Sequence, residues 1–344
     1  MKLGIIGLPL SGKATILEAL THHAADTGHK GDDRLQTVRV PEQRVETLRD
    51  MYKPRKTVFA QVEYFLPGRA TQSAEAGKTQ NPLTRVRDCD ALIHVVKNFS
   101  IYGGEAPTAA DDWQSLDQEL ILADMIVVEK RLERIEQEKK RNRKTEPQEL
   151  ELLEECYQHL ENERPLRQYP HLATAPLLKG FALLSAKPVL ILFNNDDEDD
   201  SVPAITELAD SENCMAVQGK LEQELAQMSA EEADEFMLEF NISASVTDRV
   251  IKKSYRLLGL ISFFTVGEDE VRAWTIHSGT QAVNAAAAIH TVGRSPVWPH
   301  IRKAASPSSG YGRPSSSVSW DSSSRGSDSR VSSDCASQAR RDLS

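Results

Sequence analysis

The chain has 344 residues, of which 40% are apolar and 27% charged, and its formal net charge is −10. This composition is typical of a globular protein and excludes disorder throughout the chain. No stretch reaches the roughly 20 consecutive apolar residues of a membrane-spanning helix, and the first apolar run is too short for a secretory signal. The negative charge argues against a protein that binds nucleic acid over its whole surface. We expect a cytoplasmic protein with no membrane partner and no DNA specificity.

The cysteines and histidines give no sign of a metal centre. The four cysteines lie far apart and form no Cys-x-x-Cys pair, so neither a disulfide framework nor a zinc site is predicted. The histidines at 22, 23 and 29 lie in a polar stretch rich in Gly and Asp. A solvated loop accounts for this group better than a metal site does, and no metal-binding residues are predicted.

The N-terminal residues carry a specific motif. A short apolar run, Leu3–Ile6, leads into Gly7-x-x-x-x-Gly12-Lys13, and helical apolar spacing follows. A Walker A loop binds phosphates in this context of strand, loop and helix. Its backbone N–H groups and the helix N-terminus hold the phosphate oxygens, while Lys13 contacts the β and γ phosphates. The predicted nucleotide-binding residues here are Gly7, Leu8, Pro9, Leu10, Ser11, Gly12, Lys13, Ala14 and Thr15.

Ala14 departs from this motif at the position that ligates magnesium. A Walker A loop ordinarily ends in Ser or Thr, whose hydroxyl binds Mg²⁺, whereas an alanine stands here. Thr15 is a poor substitute, because one residue along a helix turns the side chain by about 100°. A role for Mg²⁺ is therefore left open.

Apolar segments alternate with stretches that are long enough for crossover connections. After Leu3–Ile6, buried strands are predicted at Val58–Phe65, Ala91–Val96 and Val189–Phe193. Such alternation is typical of a doubly wound, mostly parallel sheet with helices on both faces. We therefore predict the α/β class, in the form of a P-loop nucleoside triphosphatase (NTPase) domain.

A long helical pattern follows the third of these strands. Apolar residues repeat there at the four-three spacing of a coiled coil, first at Ile121, Met125, Val128, Leu132 and Ile135, and then at Leu150, Leu153, Tyr157 and Leu160. Pro147 suits the first turn of the second helix, so an antiparallel helical hairpin is predicted.

The predicted hairpin tip is strongly basic on an otherwise acidic chain. Its cations are Lys139, Lys140, Arg141, Arg143 and Lys144. One interpretation is electrostatic contact with RNA phosphates, without sequence readout. The other is an ordinary solvated charge cluster at a helix end.

The C-terminal part combines two strands with a biased tail. Strands are predicted at Phe263–Gly267 and Val271–Ile276, joined by an acidic turn, and serine dominates from about Ser306 onwards. The tail is predicted to be disordered, because it has few aliphatics to bury. Without later strands to pair the edge at Val271–Ile276, the small sheet is expected to be only marginally ordered. The abrupt change after Thr291 is typical of a shifted reading frame, and a natural divergent tail is the alternative.

Motifs in a fixed order along residues 1–291 resemble one known family. They are Gly7-Leu8-Pro9 through Lys13, Arg39-Val40-Pro41, Tyr52-Lys53-Pro54, Val62-Glu63-Tyr64, Asp90 to Val96, Glu119 to Asp124, Ala186-Lys187-Pro188 before Asn194, Glu235-Phe236-Met237, Arg249 through Ile276, and Ile289-His290-Thr291. This order is similar to that of the YchF-type, Obg-like ATPases. The resemblance implies a nucleotide-binding domain at residues 1–112 and 179–262, a helical hairpin insertion at 113–178, an incomplete β-rich TGS domain at 263–291 and a disordered tail at 292–344. It also implies association with ribosomes.

The departures from this family's pattern fall on the hydrolytic machinery. Of the Asp-x-x-Gly expected after Val62-Glu63-Tyr64, the segment Phe65–Arg69 keeps only a glycine, and a polar stretch, Arg69–Thr79, replaces the glycine-rich switch. The family's candidate catalytic histidine has no counterpart in Ser100–Ala106. Phosphoryl transfer depends on Mg²⁺ and an ordered water, so slow or absent hydrolysis is expected and no catalytic residue is assigned.

The resemblance also locates base recognition, after the strand Val189–Phe193. Ungapped alignment places the family's Asn-x-x-Glu at Asn194 and Asp197, and a slip of one residue gives Asn195 and Glu198 instead. A carboxylate there accepts hydrogen bonds from guanine, yet the family favours ATP, so ATP and GTP both remain candidates. The acidic run Asp196–Asp200 also suits a solvated loop.

Two functions fit these observations. The first is a translation or stress factor that binds ATP or GTP and hydrolyses it slowly. The second is a non-catalytic ribosome-binding adaptor whose nucleotide, if bound, is structural. Lys13 favours the first function, and Ala14 with the missing Asp-x-x-Gly favours the second.

Overall fold

The computed structural model describes residues 1–21, 32–68, 81–100, 106–144, 146–208, 213–239 and 245–292. All of them belong to one unit, Met1–Gly293. The predicted histidine loop, the polar stretch Arg69–Thr79 and the tail beyond Val292 lie outside the described residues.

Nine strands and ten α-helices are described. The strands are β1 (Lys2–Ile6), β2 (Arg34–Arg39), β3 (Lys56–Val58), β4 (Gln61–Leu66), β5 (Ala91–Asn98), β6 (Val189–Asn195), β7 (Cys214–Val217), β8 (Leu260–Val266) and β9 (Glu270–His277). The helices are α1 (Lys13–Thr21), α2 (Gln43–Tyr52), α3 (Pro82–Arg85), α4 (Ala109–Lys140), α5 (Pro147–Glu161), α6 (Pro170–Ala173), α7 (Gly219–Gln227), α8 (Ala230–Glu239), α9 (Val246–Leu257) and α10 (Ala282–Val292).

The main sheet has six strands in the order β2-β4-β1-β5-β6-β7. Only the β2–β4 pair is antiparallel. Successive side chains of a strand point to opposite faces, and in β1 they enter two different apolar cores. One core contains Leu3 and Ile5 with the buried faces of α1 and α9. The other contains Ile6 with residues of α3 and the start of α4. Helices therefore cover both faces, and the predicted α/β class is confirmed.

A second, smaller sheet has the order β3-β9-β8. Its third strand comes from the N-terminal part of the chain, because Lys56–Val58 pairs in parallel with Glu270–Arg272. The prediction of one strand over Val58–Phe65 is wrong here, since Val58 ends β3 and Gln61 begins β4 in the other sheet. The pattern of apolar residues between positions 56 and 66 has no break at which the sequence could be divided into two strands.

This pairing changes the interpretation of the C-terminal strands. The β9 edge that we expected to be open is paired by β3 over three residues. The small sheet also shares the core of the main sheet, since Leu260, Val271 and Ala273 pack in the same buried cluster as β1 and α1. The two C-terminal strands are thus tied by packing and by backbone hydrogen bonds to the N-terminal part of the chain.

The helices α4 and α5 occupy the segments with predicted coiled-coil spacing. Ile121, Val128 and Ile135 are buried against Leu153, Cys156 and Leu160, while Met125 and Leu132 are partly buried beside them. Arg131 donates two hydrogen bonds to Glu149 on the facing helix, at 2.8 and 2.9 Å. Pro147 begins α5, as predicted.

A partly buried ion pair joins the middle of α4 to the main sheet domain. The Asp124 carboxylate accepts hydrogen bonds from Arg87 Nη1 at 3.0 Å and from the Ser185 backbone N–H at 2.6 Å. Burial raises the pKa of Asp124 above its ordinary value, against the opposing effect of these donors. Arg87 also donates to the carbonyls of Ala123 and Ala182, so several bonds hold this junction.

None of the helices within the described ranges is long and apolar enough to cross a membrane.

Candidate nucleotide-binding site

The phosphate loop lies between β1 and α1, as the sequence predicts. Gly7 follows the last residue of β1, and Lys13 is the first residue of α1. Ser11 N donates to Leu8 O at 3.3 Å and Ile16 N to Gly12 O at 2.9 Å, which closes the turn into the helix. The unpaired N–H groups at the start of a helix attract anions, so α1 directs its positive end at the loop.

Lys13 extends back over the loop. Its ammonium group donates to Gly7 O at 2.9 Å and to Leu8 O at 2.6 Å. Such a cation on the loop is placed to bind phosphate oxygens. Leu10, at the loop's tip, has φ +64° and is 73% exposed; a branched side chain is strained in that left-handed region.

Asn194 contacts the phosphate loop from the interior of the protein. Its side chain is 5% exposed, and its Nδ2 donates to Ser11 O at 3.1 Å. Its Oδ1 accepts from the Gly219 N–H, at the start of α7, at 3.0 Å. Both polar ends of the amide therefore bond to the protein itself.

Two glycines are required by this close approach. Gly12 has φ +90°, and a Cβ there would lie 2.2 Å from Asn194 Nδ2. A Cβ at Gly219 would lie 2.6 Å from Asn194 Oδ1 and 2.8 Å from Ile16 Cδ1. Only glycine fits at either position without moving the loop or the helix.

The described residues do not supply a magnesium site of the usual kind. Ala14 is exposed on the first turn of α1 and has no oxygen ligand to offer. Leu66, at the end of β4, is buried and apolar at 8% exposure. The Gly68 N–H donates to Asp33 Oδ1 at 2.8 Å, and Asp33 also pairs with Arg85. Within the described segments no three His, Cys, Asp or Glu side chains cluster as a metal site.

The candidate base-recognition residues are divided between the interior and the surface. Asn194 is buried, whereas Asp197 is exposed in the turn after β6, and no hydrogen bond joins these two side chains. In the alternative pair, Glu198 is exposed, but Asn195 is buried and its Nδ2 donates to the carbonyls of Asp199 and Ser201. Asn98 on β5 in turn donates to Asn195 Oδ1 at 2.9 Å. Both asparagines therefore shape the backbone around the site.

His94 is a neighbour that the sequence interpretation did not assign to the site. It pairs with Ile6 in the β1–β5 register, one residue before the phosphate loop. Burial lowers the pKa of His94 to about 3, with further contributions from Arg167 and Lys13. The imidazole is therefore neutral at physiological pH and does not add to the charge of the loop.

Two other features lie away from the loop. A cavity of about 640 Å³ lies at the root of the hairpin, lined by Trp113 of α4 and by Val189 and Ile191 of β6 among others. These two residues are in the first half of β6, whereas ligands of parallel α/β sheets bind beyond the carboxyl ends of the strands. The basic tip, Lys139 to Lys144, is exposed, and the 32-residue α4 that leads to it is about 48 Å long.

Comparison with known proteins finds relatives that share one name. A Bacillus subtilis (strain 168) protein named ribosome-binding ATPase YchF is 35% identical over 310 residues, and the match covers 84% of each chain. The chain belongs to the YchF family. An Escherichia coli O157:H7 relative of the same name is 32% identical over 307 residues, covering 84% of this chain and 85% of the relative.

The fold and the C-terminal strands match the family as well. The solved structure of the Schizosaccharomyces pombe YchF GTPase superposes with a TM-score of 0.69 at 29% identity, covering 85% of this chain and 84% of that chain. The YchF-GTPase_C family, described as a protein of unknown function (DUF933), matches residues 260–292. The resemblance to YchF proteins inferred from the motifs is confirmed.

Gly219 and Glu222 extend the site of this YchF-family protein and were missed in the sequence. Glu222 on α7 is 3% exposed, and its carboxylate accepts from Val246 N at 2.8 Å and Ser245 Oγ at 2.7 Å. It thereby caps the N-terminus of α9. A glycine two residues after the end of β7 was the signal that could have indicated a close approach.

The Ser11 hydroxyl gives a test of the loop's packing. Ser11 is 1% exposed, and its Oγ has no hydrogen-bond partner. A buried, unsatisfied hydroxyl is destabilising, by about 1–3 kcal/mol. We expect Ser11→Ala to leave the free energy of unfolding unchanged or to raise it by about 1 kcal/mol, as measured by urea denaturation.

Asn194→Ala is the contrasting variant for that measurement. It leaves Ser11 O and Gly219 N without their partner, so the free energy of unfolding should fall by about 1–3 kcal/mol. A Ser11→Ala protein that is as destabilised as Asn194→Ala would contradict the described loop packing.

Proposed function

We propose that this YchF-family protein binds a purine nucleoside triphosphate, ATP or GTP, in the loop Gly7–Lys13 and hydrolyses it slowly or not at all. We further propose that it acts in the cytoplasm in association with ribosomes. The observation that carries the proposal is a complete phosphate loop beside an incomplete hydrolytic site.

Phosphate binding is supported by three elements of the loop. Gly12 has the positive φ that turns the chain into α1, Lys13 lies over the loop carbonyls, and the N-terminus of α1 faces the same point. Asn194 fixes the loop against α7 through direct hydrogen bonds. Little reorganisation is then needed when a phosphate binds, which favours affinity.

Slow hydrolysis is supported by the side chains that occupy the metal-ligand positions around the loop. The two protein ligands that commonly hold Mg²⁺ in such sites are a Walker A hydroxyl and a carboxylate on a neighbouring strand. Ala14 stands at the first of these positions, and the apolar segment Phe65–Pro67 offers no carboxylate for the second. Without these metal ligands the phosphate can still bind to the loop, whereas the transition state of hydrolysis is poorly stabilised.

The choice of base remains between adenine and guanine. The relatives are named ATPases in bacteria and a GTPase in fission yeast. Asn194 uses both ends of its amide within the protein, so selectivity rests on exposed groups of the loop after β6, with Asp197 as the first candidate. A carboxylate there would favour guanine, which offers two N–H donors.

Ribosome association is supported by the relatives and by the hairpin tip. Two relatives are named as ribosome-binding. The tip cations Lys139, Lys140, Arg141, Arg143 and Lys144 are exposed, and among the described side chains none of them is in an ion pair with a carboxylate. A basic cluster at the end of a long projecting helix suits contact with RNA phosphates.

A second candidate function is a non-catalytic ribosome-binding adaptor. It is favoured by Ala14 and by the absence of the Asp-x-x-Gly carboxylate, and it differs from the first function only in what the nucleotide does. Phosphate release separates the two.

Nucleotide binding should depend little on Mg²⁺. Fluorescent ATP and GTP should bind with affinities that differ by less than about threefold with and without EDTA, because Lys13 and the loop amides, not metal ligands, hold the phosphates. Lys13→Ala should weaken binding by about ten- to a hundredfold through loss of a charge-assisted hydrogen bond.

The matched control is Lys130→Ala, which removes an exposed cation from α4 and should leave the affinity unchanged. Loss of binding by the native protein in EDTA would show that the site relies on a metal after all.

Reversing the charge of the tip should weaken ribosome binding. The variant Lys140→Glu, Arg141→Glu, Arg143→Glu should co-sediment less with ribosomes and show a flatter dependence on salt, because each phosphate contact contributes to the salt slope. Nucleotide affinity should not change, since the tip lies a long helix away from the loop.

The control carries the same change in net charge elsewhere. Arg249, Lys252 and Arg256 are exposed on α9, and their replacement by Glu should leave co-sedimentation intact. If both triple variants behave alike, the tip is an ordinary solvated surface.

A further inference from the structure

Within the described residues, the strand β8 leaves one edge of the small sheet unpaired. It is the end strand in the order β3-β9-β8. The bonds Gly267 N to Glu270 O and Ser278 N to Gly259 O fix which residues of β8 face β9: they are the odd-numbered ones. The backbone groups of Leu260, Ser262, Phe264 and Val266 therefore point away from β9, where no strand of the described chain pairs with them.

This edge lacks the protection that edge strands ordinarily have. Charged residues, proline, bulges and short length keep edge strands from pairing with other chains. β8 has seven residues, Leu260 to Val266, without a charge or a proline, and it pairs with β9 without interruption. By contrast, the edge strand β2 contains Arg34 and Arg39, and β3 has three residues including Lys56.

The face of the sheet beside this edge carries several large apolar side chains, with Arg272 over the Trp274 ring on the side away from the edge. Phe263 and Trp274 lie directly across from each other and stack, with ring centroids 6.3 Å apart. Ile261 pairs with Ile276 on the same face and is 45% exposed. The opposite face carries Leu260 and Phe264, which pack on the main core. A strand added at the open edge would extend the exposed apolar face and cover part of it.

The chain's own tail is a poor partner for this edge. Residues 293–344 are rich in Ser and contain no alternating apolar run as long as β8. A second copy of β8, however, is complementary to the first, because an antiparallel pair brings only apolar and hydroxyl side chains together. No like charges meet, although the chain as a whole is acidic.

We propose that two copies of this chain associate through antiparallel pairing of their β8 strands. In the register centred on Phe263, Ser262 bonds to the partner's Phe264 and Leu260 to the partner's Val266, and the two Phe263 side chains lie next to each other across the two-fold axis. The result is one continuous six-stranded sheet. The association stops at a dimer, because it uses the open edge of each copy. The outer strands of the combined sheet are then the short, charged β3 strands.

Sedimentation velocity of the full-length protein over about 1 to 100 μM tests this proposal, since a single strand pair is expected to give a weak dimer. The native protein should shift from monomer to dimer across this range. Ile261→Lys places a cation beside the open edge, the device by which natural edges are blocked, and should keep the protein monomeric. Leu122→Lys, at an exposed aliphatic residue of α4, is the control and should dimerise normally.

Hydrogen exchange gives a second readout that a loss of folding would not imitate. Amides of residues 260–266 should exchange more slowly at the higher concentration in the native protein and in Leu122→Lys, and at a constant rate in Ile261→Lys. A native protein that stays monomeric, a dimer that persists in Ile261→Lys, or growth beyond a dimer would each overturn the proposal.

Discussion

The position of the phosphate loop depends on one buried amide. Asn194, at the end of β6, bonds to Ser11 O in the loop and to the Gly219 N–H at the start of α7. The loop and the helix approach so closely that Gly12 and Gly219 have no room for a Cβ. A polar group buried in this way is costly unless both of its ends are bonded, so the three segments are fixed together. α7 in turn caps α9 through Glu222, which links the loop to the helix that packs on β8.

The proposed function assigns phosphate binding and phosphate transfer to different residues. Binding requires the backbone of the loop, Lys13 and the supporting amide of Asn194, all of which are present. Transfer requires oxygen ligands for a metal and a group that orients water, and neither Ala14 nor the segment Phe65–Pro67 has the hydroxyl or carboxylate that such sites ordinarily provide. The residues that bind phosphate do not depend on those that transfer it. The site can therefore keep its nucleotide affinity while its rate of hydrolysis falls.

Much of the fold could be predicted from local pattern, and the rest could not because it is non-local. The phosphate loop, the hairpin helices and the interior strands β1, β5 and β6 have strong apolar patterns and lie where the sequence predicts them. The edge strand β2 was missed because only Val38 is buried in it, and β7 because it has four mostly half-buried residues. Periodicity carries no information about which distant strand β3 joins. The internal bonds of Asn194 likewise follow from folding, whereas the motif suggested only a base contact.

Single-turnover phosphate release from bound ATP and GTP, compared between the native protein and Ala14→Ser, tests most directly whether binding has been separated from hydrolysis. The account predicts tight binding with slow release in both proteins, and a gain of less than about tenfold from the restored hydroxyl, because groups that act as a unit are not additive. A gain of about a hundredfold or more, or rapid release by the native protein, would show that the hydrolytic site is intact and would contradict the account.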